Sequence, residues 1–159
     1  MKTIHVINRK GQSFDILVDD EDFAFVSQAS WYCTKNGNNY YAANDSFFGK
    51  KTYMHRLVSN ASKGKDVDHI NGNSLDNRKQ NLRICTRQQN ICNAKKGVDC
   101  TSQYIGVSWD KSRNLWRVAI MFSRRSIYLG RFKIERDAAT AYNEAAAKLF
   151  GEFARLNNV

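Results

Sequence analysis

Apolar and polar residues alternate in short runs over the first part of the chain, a pattern typical of β-strands. The runs "KTIHVIN" and "SFDILV" flank the turn-forming residues Arg9, Lys10 and Gly11, which predicts a β-hairpin. The next run, "DDEDFAFVSQ", begins with acidic residues, which favour the N-terminus of a helix. An Asn-Gly pair within "SWYCTKNGNNYYAAND" predicts a second hairpin. Residues 1–51 are therefore predicted to be a β-rich scaffold.

The middle segment, "VDHINGNSLDNRKQNLRICTRQQN", has almost no apolar residues and is not expected to be core. A short strand, "GKDVDHI", leads into an asparagine-rich loop, because asparagine side chains hydrogen-bond their own backbone and break regular structure. "LRICT" predicts a returning strand, and Thr86 followed by Gln89 is a capping-box pattern that predicts a helix over "RQQNICNAK". Residues 52–95 are thus predicted to fold as strand, loop, strand and helix, with Asn90 able to point back at the first strand.

The C-terminal part predicts a small sheet covered by one helix. After a linker at residues 96–103, three strands are expected over residues 104–109, 116–122 and 126–132. Alanines at helical spacing predict a helix over residues 135–150, which can approach the sheet closely. The fold class is α+β, and residues 104–159 form its last predicted domain.

Alternation within those strands predicts which side chains face away from the helix. Trp116, Val118 and Ile120 are expected to meet the helix, together with Ile127 and Leu129. The opposite face is expected to carry Arg117, Ala119, Met121, Ser126, Tyr128 and Gly130. A sheet face of this kind can lie in a DNA major groove. The predicted DNA contacts on this face and its rim are Lys111, Arg113, Arg117, Arg124, Arg125 and Tyr128.

Charge narrows the possible partners. The chain of 159 residues has 25 Lys and Arg against 15 Asp and Glu, a net charge of +10. Residues 1–49 carry four basic and six acidic side chains, whereas residues 50–100 carry eleven and four, and residues 101–159 ten and five. Such a chain usually binds a polyanion, most often nucleic acid, and a surplus of solubilising lysines is the alternative. Within the middle segment, the predicted phosphate contacts are Arg78, Lys79, Arg83 and Arg87.

Other protein classes receive no support from the sequence. No run approaches the roughly 20 apolar residues of a membrane span, and the start "MKTIHVINRKGQSFD" lacks the apolar stretch of a secretory signal. The four cysteines have no CxxC spacing, which indicates reduced thiols rather than a zinc site. We therefore expect a cytoplasmic protein without a membrane partner or a small-molecule substrate.

The Asp68-His69 pair is the strongest candidate for chemistry. A neutral imidazole can take a proton from water at cellular pH. The Asp68 carboxylate and the Asn90 amide oxygen are hard donors suited to Mg²⁺, and basic neighbours can hold phosphate. The alternative is a polar loop whose histidine only supports a turn. Of the other histidines, His5 is expected to be structural, and His55 is more often structural than close to a scissile phosphate.

The residues "VDHINGNSLDNRKQNLRICTRQQN" resemble the HNH motif of phage and intron-encoded homing endonucleases. The resemblance implies a β-hairpin and helix around one divalent cation, Mg²⁺ or another such as Mn²⁺. His69 would be the general base, Asp68 and Asn90 the metal ligands, and Asn81 the residue that braces the hairpin and so orients His69. The implied substrate is double-stranded DNA, nicked or cut by an enzyme, expected to be a monomer, that a phage or mobile element encodes.

The pieces "YIGVSW", Trp116-Arg117, "YLGRF" and "DAATAYNEAAAKLFGEFARLN" resemble the AP2 domain. In that family a three-stranded sheet contacts the DNA major groove. Ser108, which is a further predicted DNA contact, stands where the family often has arginine. Ala119 and Met121 replace polar residues, so base selectivity is expected to be modest. Two alternatives remain at this stage: a DNA-binding regulator with an inactive HNH remnant, and an RNA-binding or structural protein.

Overall fold

The computed structural model describes residues 1–8, 10–46, 49–92 and 100–159, without the side chains of Gln88 and Cys92. The turn residue Arg9, the end of the helix predicted over "RQQNICNAK" and half of the predicted linker fall outside these residues. The chain divides into two compact units, Met1–Arg87 and Gln88–Val159. Within the described ranges, no helix is both long and apolar enough to cross a membrane.

The first unit begins with the predicted hairpin. Strands β1 (Lys2–Ile7) and β2 (Ser13–Val18) pair antiparallel, and helix α1 (Asp20–Val26) follows with three acidic residues in its first turn. Acidic side chains there complement the exposed N–H groups at a helix N-terminus. The hairpin and the acidic helix predicted from the alternation are confirmed.

A second antiparallel sheet completes the scaffold. Strands β3 (Tyr32–Asn36) and β4 (Asn39–Asn44) form the predicted hairpin, and Gly37 adopts the positive φ of 59° that its tight turn requires. A short strand β5 (Thr52–Tyr53) adds to β4 and leads directly into helix α2 (Met54–Val58), and neither element was predicted. The core of this unit contains Val6, Ile16, Val18, Val26, Trp31, Cys33, Ala42 and Met54.

The middle segment folds as strand, loop, strand and helix, in the order predicted. Strands β6 (Asp66–His69) and β7 (Leu82–Cys85) pair antiparallel, and a single 3-10 turn at Lys79–Asn81 precedes β7. Helix α3 (Arg87–Cys92) follows, and the boundary between the two compact units falls within it.

The second unit contains one three-stranded antiparallel sheet in the order β10-β9-β8. Its strands are β8 (Val107–Asp110), β9 (Leu115–Phe122) and β10 (Arg125–Phe132). Helix α4 (Glu135–Phe150), which starts and ends where the alanine pattern predicts, covers one face. The core combines Val107, Val118 and Ile120 of the sheet with Ala138, Ala139, Tyr142 and Ala146 of the helix.

The face assignments hold in β9 but need two corrections in β10. The register shifts between Tyr128 and Gly130, so Gly130 pairs with Val118. Directly paired residues share a face, and Gly130 therefore lies on the helix side rather than outside. Ile127 pairs with the buried Ile120, but it is 36% exposed because β10 is an edge strand. The α+β class is confirmed as several small antiparallel sheets with few helices.

Candidate functional site

The residues predicted for catalysis meet at the end of the β6–β7 hairpin. His69 is the last residue of β6 and pairs with Leu82, while Asp68 pairs with Arg83 on the neighbouring strand. Both Asp68 and His69 are buried, as are Asp76, Asn77 and several other polar residues of the segment. The expectation that this segment is not core is wrong, because a buried polar group is tolerated when its hydrogen bonds are made within the protein.

Those hydrogen bonds brace the loop between the two strands. The Asn71 and Asn73 side chains accept bonds from the backbone N–H groups of Asn73 and Leu75, so both act as the turn formers expected of them. Asn81 bonds across the loop: its Oδ1 accepts from the Asn71 N–H at 3.0 Å, and its Nδ2 donates to the Asp76 carbonyl oxygen at 2.8 Å. Asn81 therefore sits where a residue that braces the hairpin is needed.

The scaffold holds the loop from its other side. The Leu17 N–H donates to the Leu75 carbonyl oxygen, and the Asn77 N–H donates to the Leu17 carbonyl oxygen, which forms a parallel bridge between β2 and the loop. The Ser74 hydroxyl donates to the Tyr40 carbonyl oxygen at 2.6 Å. Because β2 and β4 belong to the unit's apolar core, the loop is fixed to a rigid support.

Asn77 is the loop residue that contacts the histidine. Its Oδ1 lies 3.4 Å from Nε2 of His69, and its Nδ2 donates to the Leu75 carbonyl oxygen. With the amide oriented in this way, Nε2 of His69 is the donor, and the basic lone pair is on Nδ1. Burial lowers the pKa of His69, although the Asn77 contact and the Asp68 charge oppose that change. The imidazole is therefore neutral at cellular pH, as a general base must be.

Two aromatic rings contact His69, and a third stacks on one of them. His55, from the first turn of α2, meets it edge to face with 5.2 Å between ring centroids, and Tyr41 lies at 6.2 Å. Tyr53 stacks on His55 at 5.6 Å. Burial, with smaller contributions from the neighbouring His69 and Arg56, lowers the pKa of His55 to about 3. Its Nδ1 is buried without a hydrogen-bond partner, so His55 is a neutral ring packed against His69.

The donor set near His69 suits a cation that takes few protein ligands. Among the described residues, no three His, Cys, Asp or Glu side chains cluster as a metal site. The Asp68 carboxylate bonds Arg83 through Oδ2, with 2.7 Å to Nη2 and 2.8 Å to Nε. One carboxylate and one amide oxygen fit Mg²⁺, which keeps most of its water. Asn90 belongs to α3, and its approach to Asp68 remains a prediction.

Every basic residue predicted to contact phosphate in the middle segment has a carboxylate partner. Arg78 forms two bonds to the buried Asp76, and this pairing lowers the pKa of that carboxyl. Lys79 bonds Glu21 at 2.6 Å and Asp22 at 3.1 Å. The remaining pairs are Arg83 with Asp68 and Arg87 with Asp66. Their role in DNA binding stays a prediction, and partner exchange is easiest for Arg87, which is 81% exposed.

The outer face of the β8–β9–β10 sheet carries a row of polar residues across all three strands. Ser108 pairs with Arg117, and Arg117 pairs with Arg131. Tyr128 lies between the two arginines, with its ring 6.0 Å from the Arg117 guanidinium and 5.2 Å from that of Arg131. Met121, which is 60% exposed, extends this face. The predicted contacts Ser108, Arg117 and Tyr128 are thus neighbours on one exposed face.

The rim of this sheet carries the other predicted contacts. Arg124 and Arg125 lie at the β9–β10 turn, where Ser123 and Arg124 both adopt a positive φ, as type I′ turns require. Lys111 and Arg113 lie in the β8–β9 turn, and Arg113 approaches Asp110 at 3.5 Å. Hydrogen bonds from Ser112 and Arg131 lower the pKa of Asp110 to about 2.

Sequence reasoning missed four residues that contact the predicted ones. Asn77 lies in the asparagine-rich loop, and no local pattern separates it from its neighbouring asparagines. Tyr41 and Tyr53 have the pattern of ordinary strand residues. Arg131, within "YLGRF", follows the bulge in β10, which places it beside Arg117 on the outer face.

Comparison with known proteins identifies relatives. Residues 52–91 match the sequence profile of the family described as HNH endonuclease. An uncharacterised HNH endonuclease of Acanthamoeba polyphaga mimivirus is 30% identical over 160 residues, covering 94% of this chain and 78% of the viral protein. Protein 3.8 of Escherichia phage T7 is 42% identical over 55 residues, covering 35% of this chain and 46% of the phage protein. No solved structure matches the chain. The AP2 resemblance of the second unit remains a prediction.

Proposed function

Because the chain belongs to the HNH endonuclease family and is thus a nuclease that acts on DNA, we propose that it is a metal-dependent homing-type enzyme that hydrolyses a phosphodiester in double-stranded DNA. The observation that carries the proposal is the buried, neutral His69, held at the end of β6 by the Asn77 amide and bordered by Asp68. A base in this state is ready to accept a proton, because it need not lose one first.

His69 takes a proton at Nδ1 from the water that attacks phosphorus. The Asn77 contact at Nε2 keeps the accepting nitrogen directed away from the loop and supports the imidazolium that forms. Asn81 contributes indirectly, since its bonds to both sides of the loop fix the position of Asn77 and of the strand end. His55 and Tyr41 limit the rotation of the His69 ring.

Asp68 and Asn90 would hold the divalent cation, Mg²⁺ or another such as Mn²⁺. Bound there, the cation would supply positive charge that stabilises the leaving 3′ oxygen. Arg83 occupies one carboxylate oxygen of Asp68 and compensates its buried charge. We expect Asp68→Asn to raise the Mg²⁺ concentration needed for half-maximal cleavage by about 10-fold or more, in line with the tighter hold of a carboxylate on a hard cation.

The second unit is proposed to anchor the enzyme through its AP2-like sheet. The proposed DNA contacts are Ser108, Arg117 and Tyr128 on the face, with Lys111, Arg113, Arg124 and Arg125 at the rim. Phosphate contacts from the arginines give affinity with modest sequence preference. Residues 52–95 form the proposed nuclease domain, residues 96–103 the linker and residues 104–159 the anchor.

The nuclease proposal is tested by relaxation of supercoiled plasmid DNA. We expect cleavage in Mg²⁺ that EDTA abolishes, with nicked circles before linear product, because one site cuts one strand at a time. His69→Ala should lower the rate by about 10²- to 10⁴-fold, the usual contribution of a general base. His5→Ala, which changes an exposed histidine paired with Asp15, is the matched control and should cut normally. Binding without cleavage on DNA that contains the cognate site would refute the proposal.

The anchor is tested separately, by DNA affinity. Arg117→Ala should weaken binding and lower the slope of log K against log salt by about 0.9, the value for one phosphate contact. Arg136→Ala removes an exposed cation from α4, on the other side of the sheet, and should leave the slope unchanged. Equal effects of the two variants would mean that the sheet face has no special role.

A further inference from the structure

The first unit contains a cleft to which no role has been assigned. It encloses about 610 Å³ between the β1–β2 turn and strands β3 and β4. Its walls carry Lys10, Lys35 and Lys51, and we call it the lysine groove. Resting on the nuclease function proposed above, we propose that the lysine groove binds the phosphodiester backbone of the substrate DNA.

The groove lysines differ in their surroundings from the four basic residues of the middle segment, Arg78, Lys79, Arg83 and Arg87. All three are exposed, and within the described residues none of them forms an ion pair with a carboxylate. The four basic residues of the middle segment, in contrast, each have an acidic partner. A lysine without such a partner keeps its full charge for a phosphate and has no existing ion pair to break. The groove is therefore better placed to hold DNA than the loop is.

The net charge of residues 1–49 conceals this surface. Of their six acidic side chains, one lines the groove: Asp45, which accepts a hydrogen bond from the Tyr32 hydroxyl at 2.6 Å. The other five bond groups elsewhere: Asp15 with His5, Asp20 with the N-terminal amine, and Asp19, Glu21 and Asp22 with Lys79. The acidic balance of this segment therefore lies largely outside the groove, whose own balance is three lysines against one aspartate.

The groove also offers neutral donors. The hydroxyl-bearing side chains of Thr34 and Tyr40 line it, beside Asn8 and Gln12 of the β1–β2 turn. The Asn8 Nδ2 donates to Gln12 Oε1 at 2.8 Å, and this bond joins the two ends of the turn. Hydroxyl and amide groups beside lysines are the usual mixture for contacts to phosphate and sugar.

One wall of the groove is linked to His69, the proposed base, through two intervening aromatic rings. The Lys51 ammonium lies 5.4 Å from the centre of the Tyr53 ring. Tyr53 stacks on His55, and His55 contacts His69. Lys51 thus belongs both to the groove and to the aromatic chain that ends at the proposed base. A strand bound along the lysines runs on toward His69, which gives the groove a role in placing the scissile bond.

The test compares two triple variants that remove equal charge. Lys10→Gln, Lys35→Gln and Lys51→Gln together empty the groove of lysines. Lys2→Gln, Lys63→Gln and Lys65→Gln remove three exposed lysines of the same unit outside it and serve as the control. Binding of each full-length protein to a short duplex of random sequence is measured by fluorescence anisotropy in EDTA, across a series of salt concentrations.

We expect the groove triple to lower the slope of log K against log salt by up to about 2.7, or about 0.9 for each phosphate that the protein no longer neutralises. The control triple should change the slope by much less and should cleave plasmid at the wild-type rate. Equal slopes for the two triples, or a wild-type slope for the groove triple, would overturn the proposal. If the groove triple lowers the slope as expected but the wild-type protein cuts no DNA, the nuclease function is refuted. The proposal that the groove binds DNA then still stands.

Discussion

His55 makes the stability of the first unit depend on pH in a range where few other groups titrate. Its pKa falls from 6.5 in the unfolded chain to about 3 in the folded protein, chiefly because of burial. Between these values the unfolded chain binds a proton that the folded protein does not, so stability is full above pH 6.5 and is lost as the pH falls. Each pH unit costs about 1.4 kcal/mol, and acidification from about pH 6.5 to 5 therefore costs about 2 kcal/mol.

His55→Phe removes this dependence and keeps the ring. Phenylalanine can still stack on Tyr53 and face His69, and it replaces a buried Nδ1 that has no hydrogen-bond partner. We expect the variant to be at least as stable as wild type at neutral pH, since a buried unsatisfied group costs about 1–3 kcal/mol. Toward about pH 5 it should lose about 2 kcal/mol less than wild type.

Urea unfolding at several pH values gives the comparison. The indole N–H signal of Trp31 in NMR spectra reports the first unit, because that group donates to the Val26 carbonyl oxygen within the core. His69 is present in both proteins, so the difference in slope isolates His55. Parallel loss of stability in the two proteins between about pH 6.5 and 5 would show that His55 is accessible to protons in the folded state, and the account of His55 as a buried, neutral ring would be refuted.

Three further substitutions probe the two units. Gly106→Ala should destabilise the second unit by about 1–3 kcal/mol more than Gly151→Ala, as measured by urea unfolding of both variants. Both positions have a positive φ, but only at Gly106 would a Cβ lie 2.2 Å from a tyrosine ring of α4. Asn77→Ala should lower kcat by about 10- to 100-fold without raising KM for DNA, and an unchanged kcat in plasmid cleavage would exclude its positioning role. Arg83→Ala should destabilise the first unit by about 3 kcal/mol in EDTA, and Mg²⁺ should restore part of this loss if Asp68 holds the cation; thermal unfolding with and without Mg²⁺ decides.

The elements that sequence could predict are those whose signals are local. Alternating runs and an Asn-Gly turn predicted the first two hairpins, and alanines at helical spacing predicted α4 at its observed bounds. The Asp-His pair before an asparagine-rich loop likewise marked the end of β6 as the candidate site, whose role stays a prediction. In each case the residues that decide the structure lie within a few positions of each other.

The surroundings of His69 could not be predicted, because they come from distant parts of the chain. Tyr41 reaches the site from β4 and His55 from α2, and only the pairing of β4 with β5 brings them together. Asn77 is one of many asparagines in its loop, and its contact with His69 depends on the bridge to Leu17 of β2. The bulge in β10 likewise gave no local signal, although it decides that Arg131 joins the outer face.

The net charge of a sequence segment is a poor guide to which of its cations are available to bind DNA. Residues 50–100 have the largest positive balance, yet Arg78 and Lys79 among them bond carboxylates that are 2 and 58 positions away. The acidic segment before them supplies the more distant of those carboxylates, and it also holds two of the three exposed groove lysines, Lys10 and Lys35. A phosphate competes with an existing carboxylate partner in the first case and only with water in the second, so no ion pair must break when it binds a groove lysine. The expected DNA contacts of the first unit therefore depend on which cations already have a carboxylate partner in the folded protein. We expect the salt dependence of DNA affinity in this unit to arise from the lysine groove.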